Sequence, residues 1–163
     1  MTGYTDLKDL LINSRYAVYA TVNEDGSPHN SPLFFIADQN LERVYIGSHP
    51  DSLHARNIVR TGKAFAVLLG RTAEGGRGLY LKINKFHEVR DEKELKTALA
   101  VHNAARARFN KKPLPIEFYM GSNEQKMYAG DIVEVSSNGT ERDANGRIIR
   151  DTREVIDRTR LTN

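Results

Sequence analysis

The chain contains no cysteine among its 163 residues. Disulfides, thiol nucleophiles and thiolate metal sites are thereby excluded, and any redox chemistry must run on a bound cofactor. No apolar run approaches the roughly 18–20 residues that a membrane-crossing helix needs. The opening stretch MTGYTDLKDLL lacks the basic segment followed by an apolar one that marks a secretory signal. These absences fit a cytoplasmic protein with no membrane partner. The five histidines show no HExxH or similar metal spacing, so no metal site is expected. There is no GxSxG elbow, no GxxxxGK loop and no GxGxxG following a strand. A concentrated basic stripe is missing too. The net charge of +3 is spread through mixed runs such as RDEKELK and ERDANGRIIRDTRE. Such runs are solvated faces, and they argue against a nucleic-acid partner.

What is present is a composition of 39% hydrophobic and 28% charged residues, which suits one globular domain spanning 1–163. Leu7, Leu10 and Leu11 fall at helical spacing within Tyr4–Ser14. Tyr16, Val18, Ala20 and Val22 then switch to strand alternation, and Asp25-Gly26 supplies a hairpin signal. Asn30–Ala37 reads as the returning strand and Arg43–Gly47 as a third, forming a meander. Asp51 or Ser52 caps a helix to about Arg60, ended by Thr61-Gly62 with glycine at the left-handed position. Lys63–Leu69 and Leu79–Val89 are further strands. The segment Gly70–Gly78, with four glycines, reads as a flexible loop.

Asp91 and Glu94 have capping-box spacing at the start of the longest helix. Its buried face is Leu95, Ala98, Leu99, His102 and Phe109, and Lys111-Lys112-Pro113 ends it. Ile116–Met120 and Met127–Ser136 supply another strand or two, and Asn145-Gly146 a possible hairpin turn. Short strands with helices set irregularly between them predict a mainly β fold, an antiparallel β-barrel with added helices.

Two segments carry candidate chemistry. Ser48-His49-Pro50-Asp51-Ser52-Leu53-His54 places hydroxyls and histidines at a helix start, whose unpaired N–H groups and partial positive charge favour an anion such as phosphate. The plainer alternative is an ordinary capped helix with surface histidines. The second segment is His29-Asn30-Ser31-Pro32-Leu33-Phe34-Phe35. Pro32 cannot donate to a ladder, which implies an edge strand, a bulge or an open seam that leaves backbone groups for a ligand. His87 and His102 read as structural or surface residues.

The order GSPHNSPLFF, YIGSHPDSLHARNI, GKAFAVLLG resembles the pyridoxamine 5′-phosphate oxidase-like, FMN-binding split-barrel family over about Tyr16–Val89. KMYAGDIVEV sits where such proteins have a last barrel strand. The resemblance implies a six-stranded antiparallel split barrel that forms a homodimer with FMN at the interface. It implies that Ser31, Pro32, Leu33 and Phe34 run along the flavin ring. Ser48, Ser52, Leu53 and His54 would lie near the ribityl phosphate. It further implies a flavin-dependent oxidoreductase acting on a small-molecule substrate. The true oxidase of the family carries Arg at the place of Ser31, Lys near Ile36 and Arg-Lys at Leu53-His54. It also has an Arg- and Trp-rich C-terminal pattern, absent here. These departures point away from pyridoxamine phosphate oxidation. They leave F420 or haem as alternative ligands, and a non-catalytic storage, sensing or stress role as the alternative function. No side chain stands out as a catalytic acid or base.

Overall fold

The computed structural model describes residues 4–72, 75–121 and 124–162. Helix α1 (Tyr4–Asn13) leads into β1 (Tyr16–Val22) and β2 (Pro28–Phe34). β3 (Arg43–Ser48), α2 (Leu53–Thr61), β4 (Ala64–Thr72), β5 (Gly75–Glu88) and α3 (Glu92–Arg108) follow. A 3₁₀ turn (Ile116–Tyr119), β6 (Lys126–Arg142), β7 (Ile148–Val155) and α4 (Thr159–Thr162) complete the order.

The strands form one antiparallel seven-stranded sheet, ordered β2-β1-β4-β5-β6-β3, with β7 also paired to β6. Alternation dictates its inner face. Ala17, Tyr19, Ala66, Leu68, Leu79, Leu81, Val44 and Ile46 are buried and share one core with Ala55 and Ile58 of α2. Their neighbours in sequence point the other way, as the period of two requires. On the opposite face of β3 and β6, Leu95, Ala98, Leu99 and Ala105 of α3 pack against Tyr45, Met127 and Ala129.

The expected six-stranded antiparallel split barrel is not formed as such, because the sheet does not close into a barrel, and the fold is mixed α and β rather than mainly β. β2 and β3 end the sheet. Between them, just beyond β2, stand the isolated bridge Ala37–Val44 and two backbone bonds, from Tyr45 N–H to the Ile36 carbonyl at 2.9 Å and from Asp38 N–H to the Arg43 carbonyl at 3.0 Å. The cause is local. Asp38 takes the Glu42 and Arg43 N–H groups on its carboxylate at 2.8 and 3.1 Å, which tightens the turn. β3 pairs along Arg43–Ser48 with β6 on one edge, and its other edge meets the short Ile36–Asp38 segment rather than β2 itself, so the expected meander stops short of β2. Pro32 has no N–H to offer across the gap.

Other boundaries follow the sequence closely or depart for visible reasons. Gly62 adopts φ 64° at the end of α2, and the Asp91 carboxylate accepts the Glu94 N–H at the start of α3. Gly146, at φ 81°, lies in the turn that joins β6 to β7. The segment expected as a loop, Gly70–Gly78, instead extends the β4–β5 ladder, with Gly70 opposite Arg77 and Thr72 opposite Gly75. Residues 73 and 74 of that segment lie outside the described residues. Ile116–Tyr119 is a 3₁₀ turn rather than a strand, because Pro115 opens it and a single turn suffices to bury Tyr119 against Gly47.

β5 carries a register shift between Asn84 and His87, and Lys85 there takes φ 50°. The bulge turns Phe86 into the core over Gly130. A Cβ on Gly130 would stand 2.6 Å from Ile83 Cγ2 and 2.7 Å from Phe86 Cγ. Gly130→Ala is therefore expected to cost about 1–3 kcal/mol through overpacking, read as a lower urea midpoint at unchanged m-value. An unchanged midpoint would contradict the packing described at the bulge.

Candidate functional site

Helix α2 is fixed before its N-terminus can be used. Asn57, 2% exposed, donates to Thr21 Oγ1 at 3.1 Å and to Asn23 Oδ1 at 2.8 Å. Arg60 donates to the Val22 carbonyl. These bonds tie α2 to the end of β1, and Ala55 and Ile58 seat it on the core. Its first turn is thereby held against Ser48, the last residue of β3.

Three predicted side chains meet there. Ser48 Oγ lies 2.7 Å from His54 Nε2 and 2.9 Å from Ser52 Oγ, and Ser52 Oγ lies 3.1 Å from His54 Nε2. Ser52 occupies the N-cap position with extended backbone, yet its side chain makes no capping bond. Its hydroxyl is turned to Ser48 and His54 instead. The helical backbone ladder begins with Arg56 N–H on the Ser52 carbonyl. The N–H groups ahead of it are the donors that helix geometry leaves over. This is not the ordinary capped helix that was the plainer reading of the segment.

Burial holds the His54 pKa below the ordinary histidine value, and nearby His29 adds to the effect. A neutral imidazole protonated at Nδ1 accepts at Nε2 from either serine hydroxyl. His29 was not among the residues expected at the site. It bonds Ser31 Oγ through Nε2 at 3.0 Å. The signal was available in the sequence. His29, Ser31 and Leu33 share the parity that faces the core, opposite Thr21, Tyr19 and Ala17 of β1. Tyr19 is a second residue that was missed. It is fully buried, and its hydroxyl has no hydrogen-bond partner among the described residues. Burial raises its pKa strongly.

The remaining predicted residues separate. Leu33 packs against the main core. Pro32 lies exposed on β2, now seen to be an edge strand, one of the three readings its sequence allowed. Leu53 is 39% exposed. Phe34 faces α3, with its ring 6.1 Å from that of His102 and 5.8 Å from that of Phe109. His102 is buried and structural, bonded to the Tyr119 hydroxyl at 3.2 Å. Burial brings its pKa down to about 4. His87 is partly exposed and pairs with Glu94 at 3.2 Å. Among the described residues no group of three or more His, Cys, Asp or Glu is arranged to hold a metal.

A cleft of about 850 Å³ opens elsewhere, between α1, the turn at Asp38–Asn40, α3 and α4. None of the residues expected at the site lines it.

No sequence-family model matches the chain, and no curated protein matches it. Solved structures do. A heme binding protein from Mycobacterium smegmatis superposes with a TM-score of 0.64 at 14% identity, over 96% of this chain and 58% of that one. A protein from Clostridium acetobutylicum, related to general stress protein 26 and described as pyridoxinephosphate oxidase family, gives 0.61 at 11% identity. That match covers 93% of each chain. The chain shares the fold of the pyridoxamine 5′-phosphate oxidase-like family. An FAD binding protein from Mycobacterium smegmatis gives 0.59 at 14% identity, over 83% of this chain and 93% of that one. At such identities the likeness is one of fold. No helix among the described residues is long and apolar enough to cross a membrane.

The electrostatics of the cluster are open to direct measurement. In an NMR titration His54 is expected to lose its proton below the ordinary histidine value of about 6.5. His29→Gln should move that titration upward by removing the opposing charge. A His54 that titrates at or above the ordinary value, unmoved by His29→Gln, would contradict the environment described.

Proposed function

We propose that the chain binds FMN, with the phosphate on Ser48, Ser52, His54 and the N–H groups that open α2. The ring would lie along the open edge of β2 at Ser31–Phe34. The observation that carries this reading is the N-cap serine that does not cap. Ser52 gives its hydroxyl to the Ser48–His54 cluster. The helix donors and two hydroxyls then converge on one point, where a phosphate dianion would complete their hydrogen bonding.

The residues fit the group. Two hydroxyls donate, and His54, neutral in a half-buried site, gains a proton once a dianion stands beside it. Bound FMN would supply hydride or electron transfer. The chain would bind it, orient it and keep its phosphate charge paired. The open seam between β2 and β3 gives the ring an edge strand with spare backbone donors, and a second copy in a homodimer would cover it. That solved proteins of this fold include a heme binding and an FAD binding protein supports a flat heteroaromatic ligand in general.

A second reading rests on a specific observation. Among the described residues no carboxylate hydrogen-bonds to Ser48, Ser52 or His54, so nothing orients a catalytic base. A protein that holds flavin, F420 or haem for storage, sensing or stress therefore stands beside the oxidoreductase, with binding common to both.

Titration with FMN, followed by flavin fluorescence, tests the binding. Ser52→Ala and His54→Ala are each expected to weaken it about tenfold or more, the worth of one charge-assisted hydrogen bond at about 1.5–3 kcal/mol. Unchanged affinity in both variants would overturn the phosphate assignment. Multiple-turnover oxidation of NADH or NADPH by the FMN-loaded protein would select the oxidoreductase. A Soret band after haem titration, with no FMN binding, would select haem.

A further inference from the structure

The cleft between α1, α3 and α4 is built from parts that the cofactor site does not use. Its floor is apolar and fixed: Phe35, Leu41, Ala105 and Leu161 are each 2% exposed or less. Leu11 and Ile12 from α1 and Val101 from α3 add aliphatic surface, and Gln39, Asn40 and Thr162 add polar groups. The far wall is pinned in place. Arg158, just ahead of α4, donates to the Leu41 carbonyl at 3.1 Å and to the Ile132 carbonyl at 3.0 Å. Thr162 Oγ1 caps back onto the Arg158 carbonyl at 3.2 Å. α4 and the β2–β3 turn are therefore held together as one side of a preformed cavity.

The charged side chains of the lining are Lys8, Asp38 and Arg108, two cations to one carboxylate. Arg108, in the last turn of α3, and Lys8, on α1, both line the cleft. Arg108 is exposed and makes no ion pair with any described residue. The carboxylate at the rim, Asp38, is occupied by the backbone N–H groups of its own turn. The floor offers no side-chain donor or acceptor, so a ligand body seated there must be free of polar atoms. At about 850 Å³ the cleft falls in the range of small-molecule sites, roughly 300–1,000 Å³.

We infer that this cleft is a second ligand site, for a long-chain alkyl carboxylate whose chain lies on the Phe35–Leu161 floor and whose head group pairs with Arg108. The alkyl chain matches the floor of Phe35, Leu41, Ala105 and Leu161, which has no polar side chain to give. The carboxylate matches a guanidinium that is otherwise unpaired and is shaped for bidentate recognition. The site is independent of the Ser48–Ser52–His54 cluster, none of whose members lines it.

The test is isothermal titration of the full chain with dodecanoate below its micellar concentration. Dodecanol and dodecyltrimethylammonium serve as controls of the same chain length. One dodecanoate per chain is expected, with both controls weaker by about tenfold or more, the worth of a charge-assisted pair. Arg108→Ala should remove that preference for the carboxylate while leaving the melting temperature in place. Ala104→Trp, at an exposed position on the lining, should block the cleft and abolish binding, while Ile149→Ala, exposed on β7 and off the cleft, should leave dodecanoate binding as it is. Equal affinity for acid and alcohol would overturn the proposal, as would undiminished dodecanoate binding in both cleft variants. Sedimentation is run alongside. A dimer that dissociates in Ala104→Trp, with no dodecanoate heat in the wild type, would make the cleft an interface between copies and would also overturn it.

Discussion

Most of the architecture depends on which partner β3 takes. Its six residues pair along their whole length with the first part of β6, not with β2, their neighbour in sequence. That choice leaves β2 and β3 as the two ends of a curved sheet. It keeps the proline-bearing edge of β2 free of a ladder, and it carries Ser48 to the inner end of β3. The tight turn at Asp38 makes the choice possible by spending that carboxylate on local backbone donors. The long β6 makes it stable, because one strand of 17 residues serves β3, β5 and β7 at once.

The cluster at the start of α2 follows from that arrangement. Asn57 and Arg60 fix the helix to β1 on one side of the gap, and Ser48 arrives from β3 on the other. The gap between the two ends of the sheet is thus spanned by α2 as well as by the few backbone bonds at Ile36–Asp38. A histidine in this position is kept neutral by burial and by a second histidine. The site therefore has hydroxyls, backbone donors and a latent positive charge, but no permanent one. As the phosphate site proposed, it would be milder than an arginine–lysine pair. The aromatic and helical layer on the outer face, with Phe34, His102 and Tyr119, is packing. The histidine in it is buried beyond use at neutral pH.

Much of this was legible in the residues because the signals were local. Gly62, Asp91 and Asn145-Gly146 act through their own backbone conformation or caps, and each fell where its chemistry required. That Ser48, Ser52 and His54 come together was legible for the same reason, since a strand end and the helix start that follows it lie close in sequence. What failed was non-local. Nothing in Arg43–Ser48 says that β6, about eighty residues away, takes one edge of β3 while β2 stops short of the other, so a barrel was expected where the sheet stays open. Gly70–Gly78 was expected to be a loop from its glycines, yet ladder pairing with the opposite strand overrides that weak preference. His29 was overlooked although its parity with Ser31 placed it on the inner face. Tyr19 was overlooked because only the completed fold strands its hydroxyl.

The central claim is that the open end of the sheet, where α2 meets Ser48, is built for a phosphate. The measurement that tests it most directly is the ratio of affinities for FMN and riboflavin, which differ in the phosphate alone. FMN binding at least tenfold tighter than riboflavin at neutral pH, with the ratio growing as His54 gains a proton on acidification, is the predicted result. Equal affinity for the two flavins across that range would contradict it.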